Sequence, residues 1–177
     1  MLENQPQKQG SVLDIPIISR IRRNHGLEHA TLHILAQRFP GKSMAGHSNP
    51  EGFWILGNLD AQDVRSAVER ALERLRAGEN QLAIHPNCGT NIVVSGVAAG
   101  LAAGSVMFSA GKDRRARLER LPLAVTLATF ALAAAQPLGN ALQARVTTSN
   151  EPGDLRVVDV VPAEKGRIKA HRVVTEG

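Results

Sequence analysis

Charged residues disappear twice along this chain, and no other feature limits its fold as strongly. No Asp, Glu, Lys or Arg occurs from Gln81 to Gly111, nor from Leu121 to Ala144. The first gap holds IVVSGVAAGLAAGSVMFSAG, residues 92–111, a stretch without proline and close to the ~20 residues a helix needs to cross a bilayer core. The second holds LPLAVTLATFALAAAQPLGNAL, residues 121–142, and the intervening GKDRRARLER carries Lys112, Arg114, Arg115, Arg117 and Arg120. This pattern predicts a transmembrane helical hairpin over residues 91–143 with a basic tip, and makes the lipid bilayer the first expected partner. Two buried helices of a soluble core are the alternative reading, and Gln136 and Pro137 weaken the second segment as a span. Against that alternative, Ala and Gly dominate where a soluble core would use Leu and Phe. Gly96, Gly100 and Gly104 also recur at the four-residue spacing that lets helices approach closely where lipid supplies no hydrophobic drive. Their expected partner is the second helix or another copy of the chain, that is, a homo-oligomer.

The flanking sequence reads as a small α+β domain. Residues 1–17 are expected to be a flexible polar tail, since MLENQPQKQGSVLDI lacks the basic-then-apolar order of a secretory signal. Ile18 to Phe39 reads as a helix stopped by Phe39-Pro40-Gly41. Lys42 to Leu59 reads as a β-hairpin, with an extended SMAGHS, a turn at Asn49-Pro50-Glu51-Gly52 and the β-rich FWILGNL. Asp60 is placed to cap a second helix in which Val64, Val68, Ala71, Leu72 and Leu75 keep a 3.6-residue spacing, and Gly78 closes it. Gln81 to Ile84 is expected to be a short strand leading into HPNCGTN. Residues 18–90 thus form the expected metal-binding domain. Residues 144–177 form a C-terminal β segment, a second hairpin turning around Pro162 to Gly166, that packs on that domain. Two spans put both soluble parts on one side of the membrane, where they build one site together.

Net charge of +5 and a pI near 10.1 would suit nucleic acid, but four Phe, one Trp and no Tyr leave little for base stacking, so no nucleic-acid partner is expected. Cys88 is the single cysteine, so it acts as a thiol, a metal ligand or an intermolecular bridge.

Two short motifs carry the chemistry. His25-Gly26-Leu27-Glu28-His29 is an H-x-x-E-H helix, in which imidazoles one turn apart converge on one ion while a neighbouring Glu takes a proton. The bland reading of it is two surface histidines beside a carboxylate. His85-Pro86-Asn87-Cys88-Gly89 resembles a zinc-knuckle turn with His in the first place: two ligands three apart clamp an ion, Pro fixes the bend and Gly permits a positive φ. Its bland reading is an ordinary strand-to-helix turn with a buried thiol. Together they supply His25, His29, His85 and Cys88, a tetrahedral set. On the helical wheel Leu27 and Ile34 point away from His25 and His29, so the helix is expected to pack on one side and face the site on the other. His33, one turn beyond His29, is expected to hydrogen-bond around the ligands rather than join them; His47 and His171 have no local support as ligands.

The HG-x-EH and HP-x-CGT motifs, the apolar hairpin and then Thr147-Thr148-Ser149-Asn150-Glu151-Pro152 resemble, over residues 24–155 and in the same order, the YqhQ-like bacterial membrane proteins, a family of unknown function described as metal-dependent enzymes. The chain also resembles a smaller group of uncharacterised domains carrying HGLEHA and HPNCGTN almost as written here. The resemblance implies a metal site at His25, Glu28, His29, His85 and Cys88, with Thr147, Thr148 and Glu151 around it. It implies no substrate.

Two functions from different classes follow. In the first, the protein is a membrane-anchored zinc hydrolase, peptidase- or amidase-like: His25, His29 and His85 hold Zn²⁺, water takes the fourth place, Glu28 is the general base and Cys88 lies nearby or ligates only at rest. In the second, a closed His₃Cys zinc site is structural and the protein is a membrane scaffold or assembly factor. Fe²⁺ on His25, His29 and Glu28 is a further option, though a thiolate in reach favours zinc. The basic tip argues for a cytoplasmic tip. A reduced thiol ligand, and the difficulty of exporting the N-terminal residues, argue for a cytoplasmic metal domain, which is the expected orientation in the cell membrane.

Overall fold

A computed structural model describes residues 11–111, 113–165 and 168–177. It has a mixed α+β architecture of five α-helices and one four-stranded antiparallel sheet. The elements are α1 (Pro16–Arg38), β1 (Ala45–Asn49), β2 (Gly52–Leu56), α2 (Ala61–Arg76), α3 (Gly89–Ser109), α4 (Arg114–Ala134), α5 (Gln136–Leu142), β3 (Arg156–Lys165) and β4 (Ile168–Glu176). They fall into two compact units: residues 1–83 with 148–177, and residues 84–147. Residues 1–10 of the expected tail, Lys112 of the basic tip and Gly166 of the second turn lie outside the described residues.

In the first unit the sheet order is β1-β2-β4-β3, so the C-terminal hairpin joins the first hairpin edge to edge, with Phe53 opposite Val173 and Ile55 opposite His171. Alternation puts Phe53, Ile55 and Val173 on one face, where α1 and α2 supply Leu27, Leu35, Val64, Val68 and Leu75 to a single core. α2 keeps the expected apolar stripe, and Gly78 ends it at φ +90°. Asp60 occupies the capping position of α2 without a side-chain capping bond. β3 continues through Pro162, which the sequence reading had taken as the start of the turn. It is tolerated because β3 is an edge strand, where a missing N–H breaks no ladder. An irregularity between Val157 and Asp159 leaves Val158 outside the pairing and half-exposed, and restores Val160 to the core.

Two expectations are corrected here. Residues 80–83 form a 3₁₀ turn, not a strand, because Leu82 and Ala83 are buried side by side, which strand alternation forbids. α1 is not half-faced to a site: Asn24, Leu27, Glu28, His29, Ala30 and Thr31 are buried around the whole helix, which is the central element of its unit. In the described part of the basic tip, Asp113 caps α4 and all four arginines sit in that helix's first two turns.

The second unit has the opposite burial pattern. α3 packs along α4 and α5, yet the side chains turned inward include Asn91, Ser95 and Gln143, while Ile92, Val93, Val97, Leu101, Phe108, Val125 and Phe130 are exposed. Gln136 Nε2 reaches Ser95 Oγ at 3.3 Å and Asn91 Nδ2 reaches Asn140 Oδ1 at 2.9 Å. α3 is long and apolar enough to cross a membrane. The second segment is broken at Ala135, with the pair Arg114–Ala134 and Gln136–Thr147 bent by 40°; Pro137 at the start of α5 has no N–H to continue α4. The glycine spacing does not mediate the close approach within this unit. A Cβ at Gly96, Gly100 or Gly104 would meet nothing within 4 Å, whereas one at Gly139 would collide with Asn91.

Candidate metal centre

Each unit presents one half of the predicted ligand set. In the first unit, His25 and His29 lie one turn apart on α1 with Glu28 beside His29, and the His25 and His29 rings meet edge to face at a centroid distance of 4.4 Å. The local cause is Asn24, to which the sequence reading gave no role. It is fully buried; its Nδ2 donates to the Asn49 carbonyl at 2.9 Å and the Pro50 carbonyl at 3.2 Å, and its Oδ1 accepts from the Thr175 hydroxyl at 2.7 Å. Those bonds tie α1 to the first hairpin and to β4, and so fix the rotation that sets the next residue, His25.

His29 is buried, and its Nδ1 lies 2.8 Å from the Ala83 carbonyl oxygen. A carbonyl only accepts, so Nδ1 carries the proton and Nε2 the lone pair, the tautomer a metal ligand needs. Glu28 is 4% exposed and accepts a short hydrogen bond from the Ser48 hydroxyl. Burial pushes its carboxyl above the ordinary carboxylate range. The Ser48 bond and the imidazoles of His25 and His47 pull the other way, and burial wins. β1 lies so close over this carboxylate that a Cβ at Gly46 would overlap it, so any larger residue at position 46 displaces the Glu28 side chain or the strand. Strand alternation turns Gly46 and Ser48 toward α1, and leaves His47 on the other face, exposed.

The Thr-Thr…Glu-Pro segment is divided between the units. The Thr148 carbonyl accepts from Arg22 at 3.1 Å, and the Ser149 N–H donates to the Arg22 carbonyl at 2.9 Å, so the segment crosses α1 one turn before the ligand pair. A Cβ at Gly26 would strike the Ser149 carbonyl, which explains why glycine stands between the histidine and the glutamate. His33 is half-buried on α1, and Glu151 is exposed with its backbone N–H on Ser149 Oγ at 3.3 Å.

In the second unit, His85 to Cys88 form a turn closed by Cys88 N–H on the His85 carbonyl at 3.2 Å, and Cys88 is the buried N-cap of α3. Gln143, also without a role in the sequence reading, grips the His85 peptide at both ends: its Oε1 accepts from the N–H at 3.0 Å and its Nε2 donates to the carbonyl at 3.1 Å. The His85 Nδ1 accepts from the Asn87 N–H at 3.2 Å, so in this conformation the ring spends that lone pair inside the turn. Thr147 Oγ1 accepts from Thr90 Oγ1 at 3.3 Å, beside the same turn.

The fold is mixed α+β, with a histidine–glutamate–histidine helix in one unit and a histidine–cysteine turn in the other, and no solved structure matches the chain. Residues 20–160 match the family described as "Domain of unknown function (DUF6391)", and the chain belongs to that family. It is 38% identical over 138 residues to an uncharacterised protein of Picosynechococcus sp., a match that covers 73% of this chain and 66% of the relative, a little under two thirds of its length. Both ligand motifs and both apolar segments lie inside the family match.

Proposed function

We propose that the chain is a membrane-anchored zinc hydrolase of the peptidase or amidase type, with its ligands drawn from His25, His29, His85 and Cys88. The observation that carries this reading is the α1 turn itself: two touching imidazoles, one fixed by the Ala83 carbonyl in a ligand tautomer, beside a carboxyl that burial raises toward the range useful for proton transfer. Covalent connection supports a single site. Ala83 precedes Cys88 by five residues, which span at most about 18 Å. Two imidazoles and a thiolate are a zinc donor set, and His85 joins as a fourth ligand only by giving up its bond to Asn87. Fe²⁺ on His25, His29 and Glu28 is the minor alternative. Zinc, when bound with an open position, supplies Lewis acidity; Glu28 takes the proton from the attacking water and Ser48 orients the carboxylate. The resemblance to the YqhQ-like proteins agrees with a metal-dependent activity.

A second reading, a structural zinc site in a membrane scaffold, is favoured by one feature: β1 covers Glu28, which leaves the carboxylate little access to a substrate. Elemental analysis and X-ray absorption of detergent-purified protein decide between them. Zinc with nitrogen and sulfur ligands and one light oxygen supports the hydrolase; three nitrogens and one sulfur support the scaffold; no stoichiometric metal overturns both. Glu28→Gln is expected to keep the metal and abolish turnover in the first case.

We also infer that α3 spans the membrane and that the bent pair α4–α5 returns across it. Support comes from the inverted burial, since apolar side chains outside and amides inside are stable only where the surroundings are apolar. The metal domain then faces the cytoplasm, where a reduced thiolate ligand persists.

A further inference from the structure

Resting on the membrane reading, we propose that the α3–α4 tip is a binding site for the phosphate headgroup of an anionic phospholipid, held by Arg114 and Arg117. A groove of about 260 Å³ lies there, lined by Met107, Arg114, Arg117, Leu118 and Leu121. Three apolar side chains and two cationic ones thus share one groove, the combination that a charged headgroup with its glycerol and upper acyl chain requires and that a free, fully hydrated anion does not.

The arginines are not equivalent. Arg115 is paired with Glu119 at 3.1 Å and stands almost fully in solvent, and Arg120 donates to Ser109 Oγ. Arg117 donates from its Nε to the Gly111 carbonyl at 2.8 Å, which anchors its stem, and among the described residues its terminal nitrogens have no hydrogen-bond partner and are available to a ligand. Arg114 shares the groove with it. Phe108, 91% exposed, stands one residue beyond Met107 at the end of α3 and extends the apolar surface up to the groove. The Arg120–Ser109 bond puts a further cation at this end of α3, so the groove sits where apolar chain gives way to phosphate. Charge placement agrees: α4 carries all its arginines before Leu121 and no charged residue after Arg120. Guanidinium forks bind phosphate oxygens bidentately, and each basic side chain near an anionic surface raises affinity by roughly fivefold.

The test uses the full chain in nanodiscs of phosphatidylcholine containing a minor fraction of phosphatidylglycerol, with the lipids retained by the protein identified by native mass spectrometry. The wild type is expected to retain phosphatidylglycerol at least fivefold above its share. Arg114→Gln with Arg117→Gln is expected to remove that enrichment, and Arg115→Gln, which removes the same kind of charge outside the groove, to keep it. Equal loss in Arg115→Gln, persistence in the double variant, or displacement of the lipid by millimolar inorganic phosphate would overturn the headgroup site. The membrane reading is checked separately by carbonate-resistant flotation with pure phosphatidylcholine vesicles. A wild type that floats without enrichment sinks only the lipid site, and one that does not float sinks both.

Discussion

Two histidines show how burial and neighbours, not residue type, decide a side chain's role. His29 is oriented by a carbonyl into the ligand tautomer. His171, on the core face of β4, is 3% exposed and its Nδ1 has no hydrogen-bond partner. Its pKa is lowered, chiefly by burial and in small part by Lys169, while the Ile55 carbonyl and Asp60 oppose that shift. The unfolded chain therefore binds a proton at this position at a pH where the folded chain does not. Stability from this residue is complete above its ordinary value of 6.5 and is lost as pH falls below it. Comparing urea unfolding of wild type and His171→Gln between pH 7.5 and 5 should show a steeper loss in the wild type; parallel curves would mean that His171 is charged in the fold. Gly46 makes a second residue-level prediction. Gly46→Ala pushes β1 off the Glu28 carboxylate, and is expected to cost about 1–3 kcal/mol in unfolding and to weaken zinc retention. An unchanged melting profile and metal content would show that β1 moves aside freely.

At the level of elements, glycine positions separate what sequence spacing displays from what packing uses. The repeat Gly96, Gly100, Gly104 is conspicuous in the sequence, yet it borders open space. Gly26 and Gly139, isolated in sequence, are the helical glycines that approach a neighbour closely, Ser149 and Asn91. Gly26→Ala and Gly139→Ala are each expected to destabilise by about 1–3 kcal/mol, since the obstructing atoms are backbone in the first case and a hydrogen-bonded amide in the second. Gly96→Ala should leave folding unharmed or improve it by up to about 1 kcal/mol through helix propensity. If it also abolishes self-association in detergent, followed by light scattering, the open stripe is a contact between copies; a monomer in both forms removes that role. The same contrast explains what was legible beforehand. α1, α2 and both hairpins were readable because their period, caps and turn residues are local signals. Asn24 and Gln143 were not, because their partners lie up to 151 residues away in the chain for Asn24 and 58 for Gln143. The break at Ala135 was announced by Gln136-Pro137, whereas the 3₁₀ turn before Ile84 offered only two apolar residues, Leu82 and Ala83, too few to fix a period.

For the whole molecule, the sheet determines which parts can be separated. β2 pairs with β4, so the first unit is completed by residues from both sides of the apolar segment, and its core draws only on its own two segments. Such long-range pairing makes folding slow, since the closure of a long loop precedes any gain from the strands. Closure entropy depends only weakly on the length of the intervening segment. Joining residue 83 to residue 148 through a flexible Gly/Ser linker should therefore give a water-soluble protein with the four-stranded sheet intact, read by circular dichroism and by the single tryptophan, Trp54, whose ring lies 5.4 Å from the Arg172 guanidinium. That protein keeps His25, Glu28 and His29 but lacks His85 and Cys88, so its zinc affinity should fall by orders of magnitude while its stability in chelator matches that in buffer. If it instead binds zinc as tightly as the full chain, the ligands all reside on α1 and its neighbours, and the histidine–cysteine turn has another purpose. If it fails to fold even with zinc present, the apolar segment is part of the scaffold rather than an anchor attached to it.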